Sequence, residues 1–341
     1  MADADSKKKY PLRIGVLFIS IALIAVVFWL IQRQPQKHPA PLEKVTIAHG
    51  SQPTAGLVYV VFALGYFAEE GIDVTLQPHT SGKSALSAVI KGEADFATVA
   101  ETPIMREITR GENLYIIATI LQAERNTAIV ARKDRGISLP GDLAGKKVGV
   151  TAGSNGDFFL NIFLIANRID SNKITAVTKK PEEMFDALVK GEVDAVSTWN
   201  PHIARLRKEL GERAIIFYRQ DLYTETYNIA SLQSFVHKNT DTVEKLVRAL
   251  IRAEKFVRAN AAASQKIIAG YSKFDQALLQ SVWNIYRFRV GLDQNLILML
   301  EDQTRWAIPR EFPDKRVPNY LDFIYPDALE AVKPEAVTII R

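Results

Sequence analysis

A two-unit α/β architecture with mixed, mostly parallel sheets, carried behind one apolar N-terminal segment, is the fold class that the sequence predicts. Three observations predict it. From Lys44 onward short β-rich runs alternate with helical runs, the pattern of strands joined by helical crossovers. One phrase is written twice, as "VIKGEADFATVAETP" at residues 89–103 and "LVKGEVDAVSTWNP" at residues 188–201. The chain has 341 residues and 48% apolar content, more than one ordinary domain needs and enough to bury two cores.

The elements follow in order. "IGVLFISIALIAVVFWLI", residues 14–31, carries no charge and at ~1.5 Å per residue just reaches across a hydrocarbon core of roughly 30 Å. Lys7, Lys8, Lys9 and Arg13 precede it, which places residues 1–13 in the cytoplasm and the rest outside. A cleaved signal segment is the rival reading. Bulky Trp29, Leu30 and Ile31 end the run with no small-x-small site after it, which favours an uncleaved single-pass anchor in the cytoplasmic membrane. Residues 32–44 read as a polar, proline-containing linker, so the folded part is expected in the periplasm or at the cell exterior.

The first unit then runs as strand "KVTIAHG", a helix over residues 57–70, strand "IDVTLQPH", a helix over residues 83–91, strand "DFATVA", a helix opened by Pro103, and strands "NLYIIATIL" and "TAIVARKD". After the turn-rich "GISLPGDLAG" the scheme restarts with "KKVGVTA", a helix over 155–168, "KITAVTKK", a helix over 181–190, "DAVSTW", a helix from Pro201 and "AIIFY". Residues 241–260, 263–270, 274–290 and 294–308 show helical spacing of apolar residues. The repeated phrase thereby acquires a structural meaning. In each copy a helix ends, Gly92 or Gly191 supplies its left-handed cap, a buried strand follows, and a proline-containing loop leaves the strand's carboxyl end, where ligands of parallel α/β sheets sit.

Composition removes several function classes. With no cysteine there is no disulfide, thiolate metal site, cysteine nucleophile or acylated lipoprotein cysteine. The 43 Lys and Arg against 38 Asp and Glu are interspersed, and nothing reads as a nucleic-acid surface. His38, His49, His79, His202 and His237 form no HExxH or His-x-His pair, and GxSxG, GxGxxG and a Walker glycine-lysine loop are missing. No cofactor or metal and no catalytic chemistry are expected.

The phrases "VTIAHGSQPTAGLVYVVFALGYFAEEGIDV", "SGKSALSAVIKGEADFATVAETP", "ISLPGDLAGKKVGVTAGSNGDFFL" and "ALVKGEVDAVSTWNPH" resemble the periplasmic solute-binding proteins of ABC importers, in the nitrate/sulfonate/taurine branch, over about residues 45–310. The resemblance implies the type II two-lobed fold. Lobe 1 would take residues 45–132 and 225–341, lobe 2 residues 136–222, with hinge crossings at Gly136 and at Gln220–Thr226. It implies a small-molecule ligand in the cleft and a permease and ATPase as partners, with an aminosulfonate, alkanesulfonate or nitrate-like cargo. An aminopyrimidine thiamine precursor and a membrane-tethered sensing module are the alternatives.

Candidate ligand contacts come from both units. Ser81, Gly82 and Lys83 of "SGKS" and Ser154 and Asn155 of "TAGSNGD" lie at helix starts, where free N–H groups and the dipole favour an anion. Capping alone accounts equally for Ser154 with Asp157. Trp199 and Asn200 leave the second repeat's strand, and Trp199 reads as an aromatic wall or as core. Glu101 and Thr102 leave the first, and a cleft-facing Glu101 would favour an ammonium or N–H donor over a bare oxyanion. An outward Glu101, or one paired with Arg106 or Arg125, is the alternative. Ser51, Gln52 and Tyr227 complete the set.

Overall fold

The computed structural model describes residues 42–219 and 221–341. The expected anchor at 14–31 and all but the last residues of the linker lie outside the described residues. None of the described helices is long and apolar enough to cross a membrane.

Eleven strands among the described residues form two sheets. They are β1 Glu43–Gly50, β2 Ile72–His79, β3 Phe96–Ala100, β4 Leu114–Ala123, β5 Thr127–Arg132, β6 Lys147–Val150, β7 Thr175–Thr178, β8 Ala195–Trp199, β9 Ala214–Phe217, β10 Glu225–Leu232 and β11 Arg287–Gly291. The six-stranded sheet has order β11-β4-β10-β3-β1-β2, and the five-stranded sheet has order β7-β6-β8-β5-β9. In the first, β2, β1 and β3 run parallel, while β10 lies antiparallel between β3 and β4 with Tyr227 opposite Ala100. In the second, β7, β6 and β8 run parallel and β5 pairs antiparallel with β8, Thr127 opposite Trp199. Both sheets therefore combine a parallel core with antiparallel return strands.

The helices are α1 Gly56–Ala63, α2 Tyr66–Glu69, α3 Gly82–Ile90, α4 Glu101–Arg110, α5 Asn155–Ala166, α6 Met184–Val189, α7 His202–Leu210, α8 Gln233–Lys238, α9 Thr240–Ala259, α10 Ala261–Ser272, α11 Gln276–Val282, α12 Gln294–Glu311 and α13 Asp327–Val332. The repeated phrase behaves as its chemistry requires. Gly92 (φ 73°) ends the chain segment after α3 and Gly191 (φ 76°) that after α6, a left-handed position that costs a residue with a Cβ about 1 kcal/mol or more. The strands that follow, β3 and β8, are buried along their whole length.

One large core joins the first sheet to the C-terminal helices. The second sheet has a core on each face. Ile129 and Ala131 of β5 point into one with Phe159 and Phe163, and Ala128 and Val130 point into the other with Leu188 and Leu206. This period-2 division along six buried residues makes β5 an inner strand of lobe 2.

That membership corrects the expected boundaries. The first crossing is Glu124–Asn126, between β4 and β5, and Gly136 lies well inside lobe 2, in a turn. The return crossing runs between β9 and β10, ending at Glu225. The single helix expected over 57–70 is two, broken at Leu64 and Gly65. Pro103 is the third residue of α4, not its start. The helix expected over 274–290 stops at Val282, and Arg287–Gly291 instead forms an edge strand on β4.

Candidate functional site

Two helices present their N-termini between the lobes. The chain leaving β2 turns at Ser81, whose extended backbone and hydroxyl cap α3. The hydroxyl accepts from Ser84 N at 3.3 Å while Ser84 Oγ accepts from Ser81 N at 3.2 Å. In lobe 2 the chain leaving β6 caps α5 through Ser154, whose hydroxyl accepts from Gly156 N (3.2 Å) and Asp157 N (3.4 Å) and donates to Thr151 O at 2.7 Å. The caps consume only part of each first turn. Among the described residues the backbone N–H groups of Gly82, Lys83 and Asn155 have no acceptor. They converge on one cavity with a partial positive charge from each helix.

Gln52, Ser81, Gly82, Lys83, Ala100, Pro103, Thr151, Ser154, Asn155, Trp199, Glu225 and Tyr227 line it. About 350 Å³ lies between these walls, solvent-facing space included, and only about 20 Å³ of it has room for the centre of a water molecule. The walls are held close. Lys83 Nζ, on lobe 1, donates to the carbonyl of Ala152, on lobe 2, at 2.9 Å. The Lys83 side chain is exposed as a whole, but desolvation of its ammonium end, then the Arg106 and Arg110 charges, lower its pKa. Gly82 carries no Cβ for a spatial reason: one would sit 2.7 Å from the Tyr227 hydroxyl and 2.9 Å from Val99 Cα.

Three walls carry the site's character. Trp199 is the last residue of β8, 4% exposed, and stands edge-on to His202 with ring centres 6.1 Å apart. Its indole Nε1 and the Tyr227 hydroxyl are buried without a hydrogen-bond partner among the described residues. Glu225, the first residue of β10, is 2% exposed and accepts from Asn126 Nδ2 at 3.0 Å and Thr127 Oγ1 at 2.8 Å. Burial, then the Glu101 charge, push its carboxyl up to about 7, against the opposing pull of those hydrogen bonds. One cavity thus combines two positive helix ends with a carboxyl whose pKa is raised to about 7.

Glu101 does not face the cavity. It is fully buried, and its oxygens accept from Thr226 N (2.9 Å), Thr226 Oγ1 (3.0 Å), Gln303 Nε2 (2.9 Å) and the Tyr223 hydroxyl. A carboxylate with this many donors fastens the return crossing and α12 to the start of α4 and has nothing left for a ligand. Neither expected partner holds it. Arg106 pairs with Glu311, and Arg125 stacks over the Tyr218 ring at 4.8 Å, bridging the two crossings. Thr102 is buried beside Glu101, 3.5 Å from its oxygen, and is likewise off the wall.

Of the other sequence candidates, Gln52, Ser81, Gly82, Lys83, Ser154, Asn155, Trp199 and Tyr227 meet in the cavity. Ser51 lines a larger adjacent groove with Gln52. Asn200 is buried behind Trp199, its N–H donating to Asn126 O at 2.9 Å and its Oδ1 unpartnered. Sequence reasoning missed Ala100, Pro103, Thr151 and above all Glu225. The sequence signal for Glu225 is its place in the expected hinge crossing Gln220–Thr226, within "DLYTETYNIA".

Known proteins share the fold of this chain. A model of the family described as NMT1/THI5 like matches residues 52–264. A Brucella abortus (strain 2308) protein named as a binding protein is 23% identical over 220 residues, covering 64% of this chain and 67% of its own. The alkanesulfonate-binding protein SsuA from Xanthomonas axonopodis pv. citri, solved bound to MOPS, superposes with a TM-score of 0.71 at 17% identity, covering 84% of this chain and 99% of its own. The periplasmic nitrate-binding protein NrtA from Synechocystis PCC 6803 gives a TM-score of 0.68 at 14% identity, covering 86% and 89%. The two-lobed α/β fold is common to all of these structures.

Proposed function

From the premise that this chain belongs to the NMT1/THI5-like family, we propose that it is the solute-binding component of an ABC importer. It closes its two lobes on a small zwitterion and does no chemistry on it. The observation that carries the ligand class is Glu225, a buried carboxyl lining the same cavity as the residues that carry the free N–H groups, Gly82, Lys83 and Asn155. An acidic end, such as a sulfonate, suits the helix N-termini. An ammonium or a protonated nitrogen suits Glu225, which in its ionised form would repel a bare nitrate by several kcal/mol. Trp199 and Tyr227 supply an indole N–H and a hydroxyl for the remaining polar atoms. The similarity to sulfonate- and nitrate-binding proteins supports the fold and the mode of capture.

An aminopyrimidine, with N–H donors for Glu225 and a flat face for Trp199, is the second reading that the same carboxyl favours. The charge-free run at 14–31, with its basic flank, supports delivery from a membrane-held domain on the periplasmic or exterior side. Thermal-shift screening of taurine, ethanesulfonate, nitrate and aminopyrimidines, with recovery of the ligand afterwards, tests the reading. A zwitterion should raise the melting temperature most and return unchanged. Stabilisation by nitrate alone, or conversion of any ligand, overturns it.

A further inference from the structure

Beside the inner cavity lies a groove of about 500 Å³, lined by lobe 2 on one side and by the loop between α10 and α11 on the other. The two spaces adjoin each other. Gln52 lines both, and the Trp199 ring of the inner wall packs edge-on against His202 of the outer one. In the same measure the inner space is about 20 Å³, so the groove is much the roomier of the two.

The groove has its own chemistry. Phe274 is buried in its wall, and the Arg205 guanidinium lies 4.8 Å over the Phe185 ring, a stacked and pre-positioned cation. Among the described residues Arg205 and Lys208 make no ion pair. Of the two acids present, Asp275 is committed to capping α11 through Leu278 N at 2.9 Å, which leaves Glu209 at the rim. His202 is held neutral, its pKa lowered to about 4 by burial and then by Arg205, and its Nδ1 is unpartnered. The groove offers ring contacts and positive charge beside the cavity in which the zwitterionic head is proposed to sit.

We infer that the physiological ligand is bipartite: a zwitterionic head under Trp199 and a ring-bearing arm that ends in an anion and lies in the outer groove against Phe274, Arg205 and Lys208. The inference rests on the zwitterion reading of the inner cavity. It departs from that reading in making a short aminosulfonate only a fragment of the cargo.

Calorimetric titration of the full chain in detergent tests it with three probes that share a head: taurine, N-benzyltaurine and N-(4-carboxybenzyl)taurine. The carboxybenzyl compound should bind at least about tenfold tighter than taurine, with the benzyl compound between them, as one ring contact and one partly desolvated ion pair would give. Arg205→Ala with Lys208→Ala should remove the gain from the carboxylate and leave taurine binding within about twofold of the unaltered protein. If taurine binds and the longer probes bind equally or more weakly, the bipartite ligand is refuted while the zwitterion reading stands. If none of the three binds, both fall together.

Discussion

The titration of Glu225 against ligand charge gives the sharpest prediction. With its carboxyl at about 7, Glu225 is mostly ionised at pH 8, about one-tenth ionised at pH 6 and about one-hundredth at pH 5. A ligand ammonium needs the ionised form, and neither a sulfonate nor a primary ammonium changes charge in this range. Affinity should therefore fall about tenfold per pH unit below 7, or close to a hundredfold between pH 8 and pH 5, about 2.7 kcal/mol. Binding at pH 6 should release nearly one proton per ligand, measurable by calorimetry in buffers of different ionisation enthalpy. Glu225→Gln should flatten the profile. Asn126 and Thr127, both bonded to this carboxyl, stay in place to hold the amide. An alkanesulfonate lacking nitrogen should show the reverse sign, tightening as the carboxyl is protonated. A flat profile for a zwitterion in the unaltered protein, or one unchanged by Glu225→Gln, would refute the assignment of Glu225 as the group that reads the ligand's positive end.

Other expected outcomes follow from neighbouring groups. Because the folded-state pKa of Glu225 is raised from 4.5 to about 7, its contribution to stability is full below 4.5 and is lost as pH rises through 7. Above that pH Glu225→Gln should gain up to about 3 kcal/mol relative to the unaltered protein, a rise of several degrees in thermal melts at pH 8 that vanishes at pH 4.5. Glu101→Gln should lower stability by about 2 kcal/mol, since donors from Thr226, Tyr223 and Gln303 lose a charged acceptor, and should leave ligand preference unchanged in competition assays at pH 8 and above, where Glu225 is ionised with or without the Glu101 charge. Trp199→Ala should weaken binding by about 1–3 kcal/mol with a smaller effect on melting; a large melting loss with intact affinity would make it core instead. Lys83→Ala removes the bond from lobe 1 to Ala152 O and should speed ligand dissociation several-fold in stopped-flow fluorescence, with little change in the association rate.

The repeated phrase made the fold legible because each part of it has a local cause: a glycine cap, a buried strand, a loop at the carboxyl end. Where structure depends on distant pairing, the sequence said less. "TAIVAR" is strand-like in either lobe, and only its pairing with β8 and β9 assigns it to the second, moving the first crossing to Glu124–Asn126. "YRFRV" falls within the helical spacing of residues 274–290, because its strand character comes from pairing at the edge of β4, with a register shift. Helix starts at Ser81 and Ser154 were readable from capping chemistry. The two glutamates were not. Glu101 opens α4 directly after β3, but its side chain turns back to α12 and the return crossing, whereas Glu225 becomes a wall only because two chain passes meet at Asn126 and Thr127. Side-chain direction at a hinge is a tertiary property that spacing does not encode.

The site as described grips one ligand from both lobes at once. A crystal structure of the chain soaked with the zwitterion that ranks first in the thermal screen should show this. An acidic group is expected within hydrogen-bond distance of the Gly82 and Asn155 backbone N–H groups, the nitrogen against Glu225 and the ligand body against Trp199. Density confined to one lobe, or a ligand whose nitrogen points away from Glu225, would contradict it.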